Sequence, residues 1–216
     1  MKIPSIVVLL PLLALASAPM NVTGQVAPPS GVADPAENVL EVGDVKFGTV
    51  RASSGDTWME VLVEVSARPG GKAAAGDFLD QVRVTLNLAT EFGEGAVKKM
   101  NLYRASVEAV ALEGGAKSVF RFYLPPEVVK RDRLTSGEAG KYFLIEFEVG
   151  GKPVASVVKG SFTAKFADPG MRRQFMSRIT SDASRNDGVL VPQHLSPFAT
   201  DAQRRAPSVI RREGGR

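Results

Sequence analysis

Phe78-Leu-Asp-Gln-Val-Arg-Val-Thr-Leu-Asn-Leu-Ala89 decides the fold class. Val82, Val84, Leu86 and Leu88 alternate with Gln81, Arg83, Thr85 and Asn87. A period of two is that of a half-buried antiparallel strand, apolar toward a core and wet on the other side. The same alternation recurs on both sides of this stretch. Val39–Val50, interrupted at Gly43, turns Val45 and Phe47 one way, and Thr57–Ala67 does so with Met59, Val61, Val63 and Val65. Leu102–Leu112 sets Tyr103, Ala105, Val107 and Ala109 against Arg104, Ser106, Glu108 and Val110. Lys117–Leu124 turns Phe120, Phe122 and Leu124 inward. It stops at Pro125-Pro126, which cannot donate to a ladder. Pro126 suits the first turn of a short helix through Val129. Lys141–Val149 turns Phe143, Ile145, Phe147 and Val149 inward. Pro153–Val158, continued by Ser161–Phe166 past a bend at Gly160, supplies the last segment. Turn residues separate the segments at the spacing of a sandwich. The reading is all-β: an immunoglobulin-like antiparallel sandwich of about seven strands over residues 39–166.

The outward faces carry complementary charge. Glu60 and Glu64 lie on the second strand and Arg121 on the fifth; Arg83 lies on the third and Glu146 and Glu148 on the sixth. In the usual sandwich order the second strand pairs with the fifth and the third with the sixth, which makes these residues cross-strand neighbours. Glu138-Ala139-Gly140-Lys141-Tyr142 fits the acidic-x-small-x-Tyr pattern before a tyrosine corner. A corner there turns Glu146 and Glu148 inward, which is costly, so Tyr142 is either a corner residue or an outward one.

Composition closes several reaction classes. The 216 residues include no Cys and one His, His194. Thiol catalysis, cysteine metal sites, His-based triads and two-His zinc sites are excluded, as is the lipid anchor that needs a processed cysteine. Gly137-Glu-Ala-Gly-Lys141 is too short for a phosphate loop and reads as a turn. Asp77 with Asp80, and Glu91 with Glu94, are acidic pairs without an EF-hand pattern, and read as solvated loop acids. No enzyme, cofactor or metal site is expected.

Met1-Lys2, the apolar run Ile6–Leu15 and the small residues through Ala18 read as a signal peptide over 1–18, with cleavage between 16 and 24. Residues 19–38 read as a flexible lead-in. The expected location is periplasmic, outer-membrane-associated or secreted, with no transmembrane helix after signal removal.

The positive charge is confined to the last quarter. Residues 168–216 hold nine arginines against five acids, a net +4, while the rest of the chain balances. That distribution argues against a folded nucleic-acid-binding face. Asp168-Pro169 is a helix start, and Met171, Phe175 and Ile179 recur at steps of four, which predicts an amphipathic helix from Pro169 to about Ala183 within residues 167–184. Its apolar stripe has two possible uses, packing on the sandwich or meeting a partner or membrane surface. Residues 185–216 read as a disordered basic tail. Within it Gly188-Val-Leu-Val-Pro192 offers a strand to a sheet edge, its own or a neighbour's. Arg172, Arg173, Arg178, Arg204, Arg205, Arg211 and Arg212 are the candidate partner contacts, suited to anionic lipid, peptidoglycan or acidic glycan.

Thr57-Trp-Met-Glu-Val-Leu-Val-Glu-Val65, Asp80-Gln-Val-Arg-Val-Thr-Leu86, Arg121-Phe-Tyr-Leu-Pro-Pro-Glu127 and Tyr142-Phe-Leu-Ile-Glu-Phe-Glu-Val149 together resemble small immunoglobulin-like, pilus-associated proteins of Verrucomicrobia. The resemblance covers about residues 40–165 and rests on strand patterns. It implies a non-enzymatic extracytoplasmic structural or assembly component whose partners are envelope or pilus-like assembly proteins. The long N-terminal apolar helix of a polymerising type IV pilin, with its glycine cleavage site and nearby glutamate, has no counterpart here. The alternative is a periplasmic or surface carbohydrate- or ligand-binding module.

Overall fold

The computed structural model describes residues 39–68, 76–93, 99–137, 139–155, 157–201 and 203–211. The signal segment, the lead-in, Pro69-Gly70-Gly71, Glu94, Glu138 and Arg212 lie outside the described residues. Eight strands and two α-helices follow in chain order: β1 Leu40–Arg51, β2 Thr57–Ala67, β3 Phe78–Phe92, β4 Lys99–Glu113, β5 Lys117–Leu124, α1 Pro126–Arg131, β6 Lys141–Val149, β7 Lys152–Pro153, α2 Pro169–Asp182 and β8 Val191–Pro192. They form two four-stranded sheets, ordered β1-β2-β5-β8 and β4-β3-β6-β7. Each adjacent pair is antiparallel. The two pairings expected from outward charge, β2 with β5 and β3 with β6, are both present.

The alternating sets meet between the sheets. Met59, Val61, Val63 and Val65 of β2, Val82, Val84, Leu86 and Leu88 of β3, and Phe122 and Leu124 of β5 have no exposed surface. Tyr103 and Ala109 of β4 join them, and β6 adds Phe143, Ile145 and Phe147. Burial of each large side chain is worth roughly 1.5–3 kcal/mol, and a one-residue slip would turn a whole set to water. Gly43 marks a register shift between Val42 and Asp44 on β1. A Cβ there would lie 2.8 Å from the Glu64 carboxylate.

The strand expected over Pro153–Val158 is corrected: β7 is two residues long. After Val154 donates to the Phe147 carbonyl, the chain leaves the β6 edge. It returns at Ser161–Thr163, where Ser161 accepts from Ile145 at 2.7 Å and Thr163 donates to Phe143 at 3.0 Å. Between these contacts it reaches the other sheet, where Val42 donates to Lys159 at 3.0 Å. Gly160 permits this crossing. Its φ is +78°, and a Cβ would fall 2.2 Å from the Val42 carbonyl oxygen.

The disordered tail is also corrected for the described part of 185–211, which is packed and is here called the strap. Leu190 plugs the main core. Val191–Pro192 pairs with β5 at Tyr123 and Phe122. Val209 bridges Ala109 of β4, with Val110 donating to Ser208 and Ile210 to Glu108, both at 2.8 Å. Isolated apolar residues and backbone hydrogen bonds do here what no periodic pattern announces. The helix expectation is met by α2, which ends in a 3₁₀ turn over Ala183–Asn186.

Phe122→Ala should cost about 3–5 kcal/mol, because its ring is fully buried between the sheets. Chemical denaturation with an unchanged m-value would show this, and a loss under 1 kcal/mol would contradict the packing described.

Candidate functional site

The C-terminal quarter places its residues on both outer faces of the sandwich. On one, α2 lays Phe175, Ile179 and Ala183 over Ala89, Leu102 and Leu144, with Phe166 stacked on Phe175 at 4.4 Å between centroids. The outer face of β3 is therefore not wet throughout, since Thr85, Asn87 and Ala89 are buried there. Met171, expected in the apolar stripe, is exposed. Asp168 caps the helix, its side chain accepting from the Met171 amide at 2.9 Å.

A charge ladder crosses the remainder of this face. Arg83 donates to Glu148 at 2.8 Å and to Glu108 at 2.9 Å, and Glu146 accepts from Asn87 at 2.9 Å and Arg104 at 3.2 Å. Glu108 is the partner that strand order alone did not single out. Tyr142 is outward and no corner residue: its hydroxyl donates to Glu91 at 2.8 Å, beside Phe166 and under Lys165.

On the opposite face Phe198 of the strap stacks on Tyr123 at 4.6 Å and meets Trp58 edge-on at 6.2 Å. Glu60 is the polar centre there. It accepts from Tyr123 at 2.8 Å, pairs with Arg121 at 3.5 Å, and takes a short bond from Arg204. Burial, then the Glu60 hydrogen bond and charge, push the Tyr123 hydroxyl above its ordinary range.

The seven candidate arginines do not gather into one patch. Arg172 is half-buried, its guanidinium 4.7 Å from the Phe162 ring and donating to the Phe166 and Ala167 carbonyls at 2.8 Å. It serves as a clamp on the turn before α2. Arg173 and Arg178 are exposed on α2. Arg204 is tied to Glu60 and Asp201. Arg205 offers its carbonyl to Arg121 at 2.8 Å while its side chain is exposed, and Arg211 is exposed near His194. Arg212 lies outside the described residues.

A buried cluster that the sequence pattern did not reveal ties α1 to β4. The Asp132 side chain has no exposed surface. It accepts from Asn101 at 2.7 Å, Tyr103 at 3.0 Å, and Arg131 at 2.6 and 2.9 Å. Burial raises the carboxyl's pKa, but hydrogen bonds from Arg131, Asn101 and Tyr103 outweigh it and hold it below its ordinary value. Burial, then Asp132, push the Tyr103 hydroxyl up to about 12. Lys141 is also buried, its ammonium given to the Gly137 and Ala139 carbonyls at 2.8 and 3.3 Å. These groups hold the end of α1 against β4 and the turn before β6. Among the described residues no three His, Asp or Glu side chains are grouped to hold a metal, and no helix is long and apolar enough to cross a membrane.

Among the hollows lined by described residues, three bear on these elements. An apolar groove of about 400 Å³ runs between β6 and the start of α2, with Arg172 and Arg173 at its side. A polar hollow of about 450 Å³ adjoins Asp132, Arg131 and Gly140. A third, of about 250 Å³, lies under the strap beside Arg121 and Gln193.

A crystal structure of a protein from Akkermansia muciniphila has the same fold, with a TM-score of 0.59 and 15% identity, over 80% of this chain and 93% of the other. No family model and no curated protein matches the chain.

Two outcomes follow from the geometry. Phe198→Ala should loosen the strap and raise hydrogen exchange at Val110 and Ile210 by roughly tenfold or more, leaving core amides of β2 and β3 unchanged; equal exchange in both variants would place the anchor elsewhere. Asp132 has a depressed folded pKa, so its contribution is full above the ordinary carboxylate value near pH 4 and fades as pH falls through the lower folded value. Asp132→Asn should cost about 1–3 kcal/mol at neutral pH and flatten the acid limb of the stability curve, read by denaturation at several pH values.

Proposed function

We propose that the protein is a non-enzymatic extracytoplasmic structural or assembly component. The observation that carries the reading is the use of the chain's own C-terminus to close the fold. On one side of the sandwich the strap pairs with both β5 and β4, strands that would otherwise offer open edges to any neighbouring chain. A cysteine-free domain closed in this way suits a rigid building block that must survive outside the reducing cell interior without disulfides.

The fold supports the reading through its likeness to the verrucomicrobial neighbour, and through the strand motifs that resemble pilus-associated proteins. The buried titratable groups Asp132, Tyr103 and Lys141 support it too, because each is engaged in holding a turn or helix. Partners in this reading are envelope or pilus-like assembly proteins. Four exposed arginines of α2 and the strap, Arg173, Arg178, Arg205 and Arg211, are offered to their acidic groups or to anionic lipid, peptidoglycan or glycan.

Chemical crosslinking in intact cells of the source organism, followed by affinity recovery from envelope extracts, tests this. A reproducible set of envelope partners is expected, reduced when these four arginines are changed to Ser. A monomer recovered from the soluble fraction with no crosslinked partner would overturn it.

A further inference from the structure

The strap changes character at Arg205. Up to Arg204 it is pinned by side chains: Leu190 in the core, Phe198 on Tyr123, the Gln193 amide on the Phe198 and Arg204 carbonyls, and Arg204 on Glu60. Arg205–Ser208 has no regular structure, and Arg205, Ala206 and Ser208 are exposed. From Ala206 to Val209 the chain borders the 250 Å³ hollow and does not fill it. It is fixed at its far end, where Val209 bridges Ala109 and the neighbouring backbone meets Glu108 and Val110. The two adjacent arginines differ accordingly. The Arg204 guanidinium is tied to Glu60 and Asp201, while the Arg205 side chain stands in solvent. An exposed stretch without regular backbone pairing is where proteases nick a folded chain, and the acidic specificity pocket of a trypsin-type protease takes a solvent-exposed Arg.

The far end of this segment covers a sheet edge. β4 is the outer strand of its sheet. Val110 donates to Ser208, and Glu108 accepts from Ile210, so the even-numbered residues of β4 turn their backbone groups to the edge. Between Asn186, whose side chain holds the Leu102 carbonyl, and Ser208–Ile210, no described backbone meets Arg104 or Ser106 on that side. No proline, lysine or register shift interrupts Leu102–Val110. The outer strand of the other sheet, β1, is blunted by the register shift at Gly43 and by the charges of Asp44 and Lys46. The β4 edge is also complementary to itself. Laid antiparallel on a second β4 about Ser106, it sets Arg104 of each copy opposite Glu108 of the other. The same register sets Leu102 opposite Val110, which is 48% exposed. In the intact chain Ser208–Ile210 occupies the place of the second strand along Glu108–Val110.

We propose that β4 is a two-fold contact edge between copies of this chain, kept shut by the end of the strap and opened by an Arg-specific protease that cuts after Arg205. Water adds across the Arg205–Ala206 peptide bond, leaving a carboxylate on Arg205 and an amine on Ala206. The new carboxylate stays beside the Arg121 guanidinium, which already donates to the Arg205 carbonyl at 2.8 Å. The earlier part of the strap therefore keeps its place on β5. The chain beyond the cut keeps only the Val209 contact and its backbone hydrogen bonds to Glu108 and Val110 as described anchors, and it departs. Two β4 strands then pair into one continuous sheet through an isologous contact. The inference deepens the assembly reading by naming one partner, a second copy of the chain. It is read on the purified protein, so its failure is distinct from a failure to recover envelope partners.

Limited trypsin digestion of the full chain, read by mass spectrometry and sedimentation, tests it. A product ending at Arg205 is expected, and it should be absent from the Arg205→Gln variant. The cut chain should self-associate at least about tenfold more tightly than the uncut one. Ser106→Cys reads the register. The chain has no other cysteine, and residues opposed in a hydrogen-bonded pair have Cα atoms about 5.5 Å apart, within disulfide reach. Mild oxidation should link this variant into dimers after the cut and leave it monomeric before. Ser106→Pro removes the amide turned to the edge, a change that an outer strand tolerates, and should abolish dimerisation of the cut chain while the cooperative thermal transition is kept. Resistance of the Arg205–Ala206 bond while other bonds are cut would overturn the cleavage. Equal dimerisation of the uncut chain would overturn the strap as a cover. A cut chain that stays monomeric up to about 1 mM, or a Ser106→Cys variant that links no better after the cut than before, would overturn the interface.

Discussion

The register between β2, β3 and their neighbours is the constraint on which the rest depends. No disulfide joins the sheets, so the inward residues of these strands form the core that holds them. That face is fully buried from Met59 to Val65 on β2 and from Val82 to Leu88 on β3. The same register that hides these residues sends Glu60, Arg121 and Tyr123 to one outer face, and Arg83, Asn87, Glu146 and Glu148 to the other. The polar contacts that later anchor the C-terminus are therefore a by-product of the core. A slip of one residue would bury Glu60 and Arg83 and leave the strap and α2 nothing to dock on.

This dependence explains what could be read from the chain and what could not. Strict alternation names its own partners, because each inward residue needs an apolar neighbour across the core. The first six segments were legible for that reason, while the β2–β5 and β3–β6 pairings were legible from outward charge and the start of α2 from its Asp168-Pro169 cap. The strap was not. Its buried residues, Leu190, Gln193 and Phe198, fall at no period of two or 3.6, and they lie among prolines and arginines whose composition is that of a solvated tail. Arg204 appears cationic and free in the sequence, yet its partner Glu60 is 144 positions away. The Asp132 cluster was hidden for the same reason. Asn101, Tyr103 and Asp132 are unremarked one by one and meet only when α1 folds onto β4.

The corrected strands show how local signals yield to tertiary ones. Pro153–Val158 has the composition of a strand, but the chain leaves β6 at Val154 to bond Lys159 to Val42 of the opposite sheet. That crossing ties the two sheets together on the side away from the strap, where β1 and β7 are the outer strands. The strap does the equivalent work between β5 and β4. Each flank of the sandwich is thus stitched by backbone hydrogen bonds of a non-strand segment, a substitute for the covalent links that a cysteine-free chain lacks.

The same arrangement sets how the basic quarter acts. Of its arginines, Arg172 and Arg204 are committed to Phe162 and Glu60, which removes them from any outward field. Those left exposed are divided between α2 on one outer face and the strap on the other. The two sheets alone stand about 10 Å apart, beyond a Debye length of about 8 Å at physiological salt. The two groups therefore do not sum into one cationic surface, and long-range attraction to a polyanion is a weak account of them. Each group acts over short range on what lies against its own face.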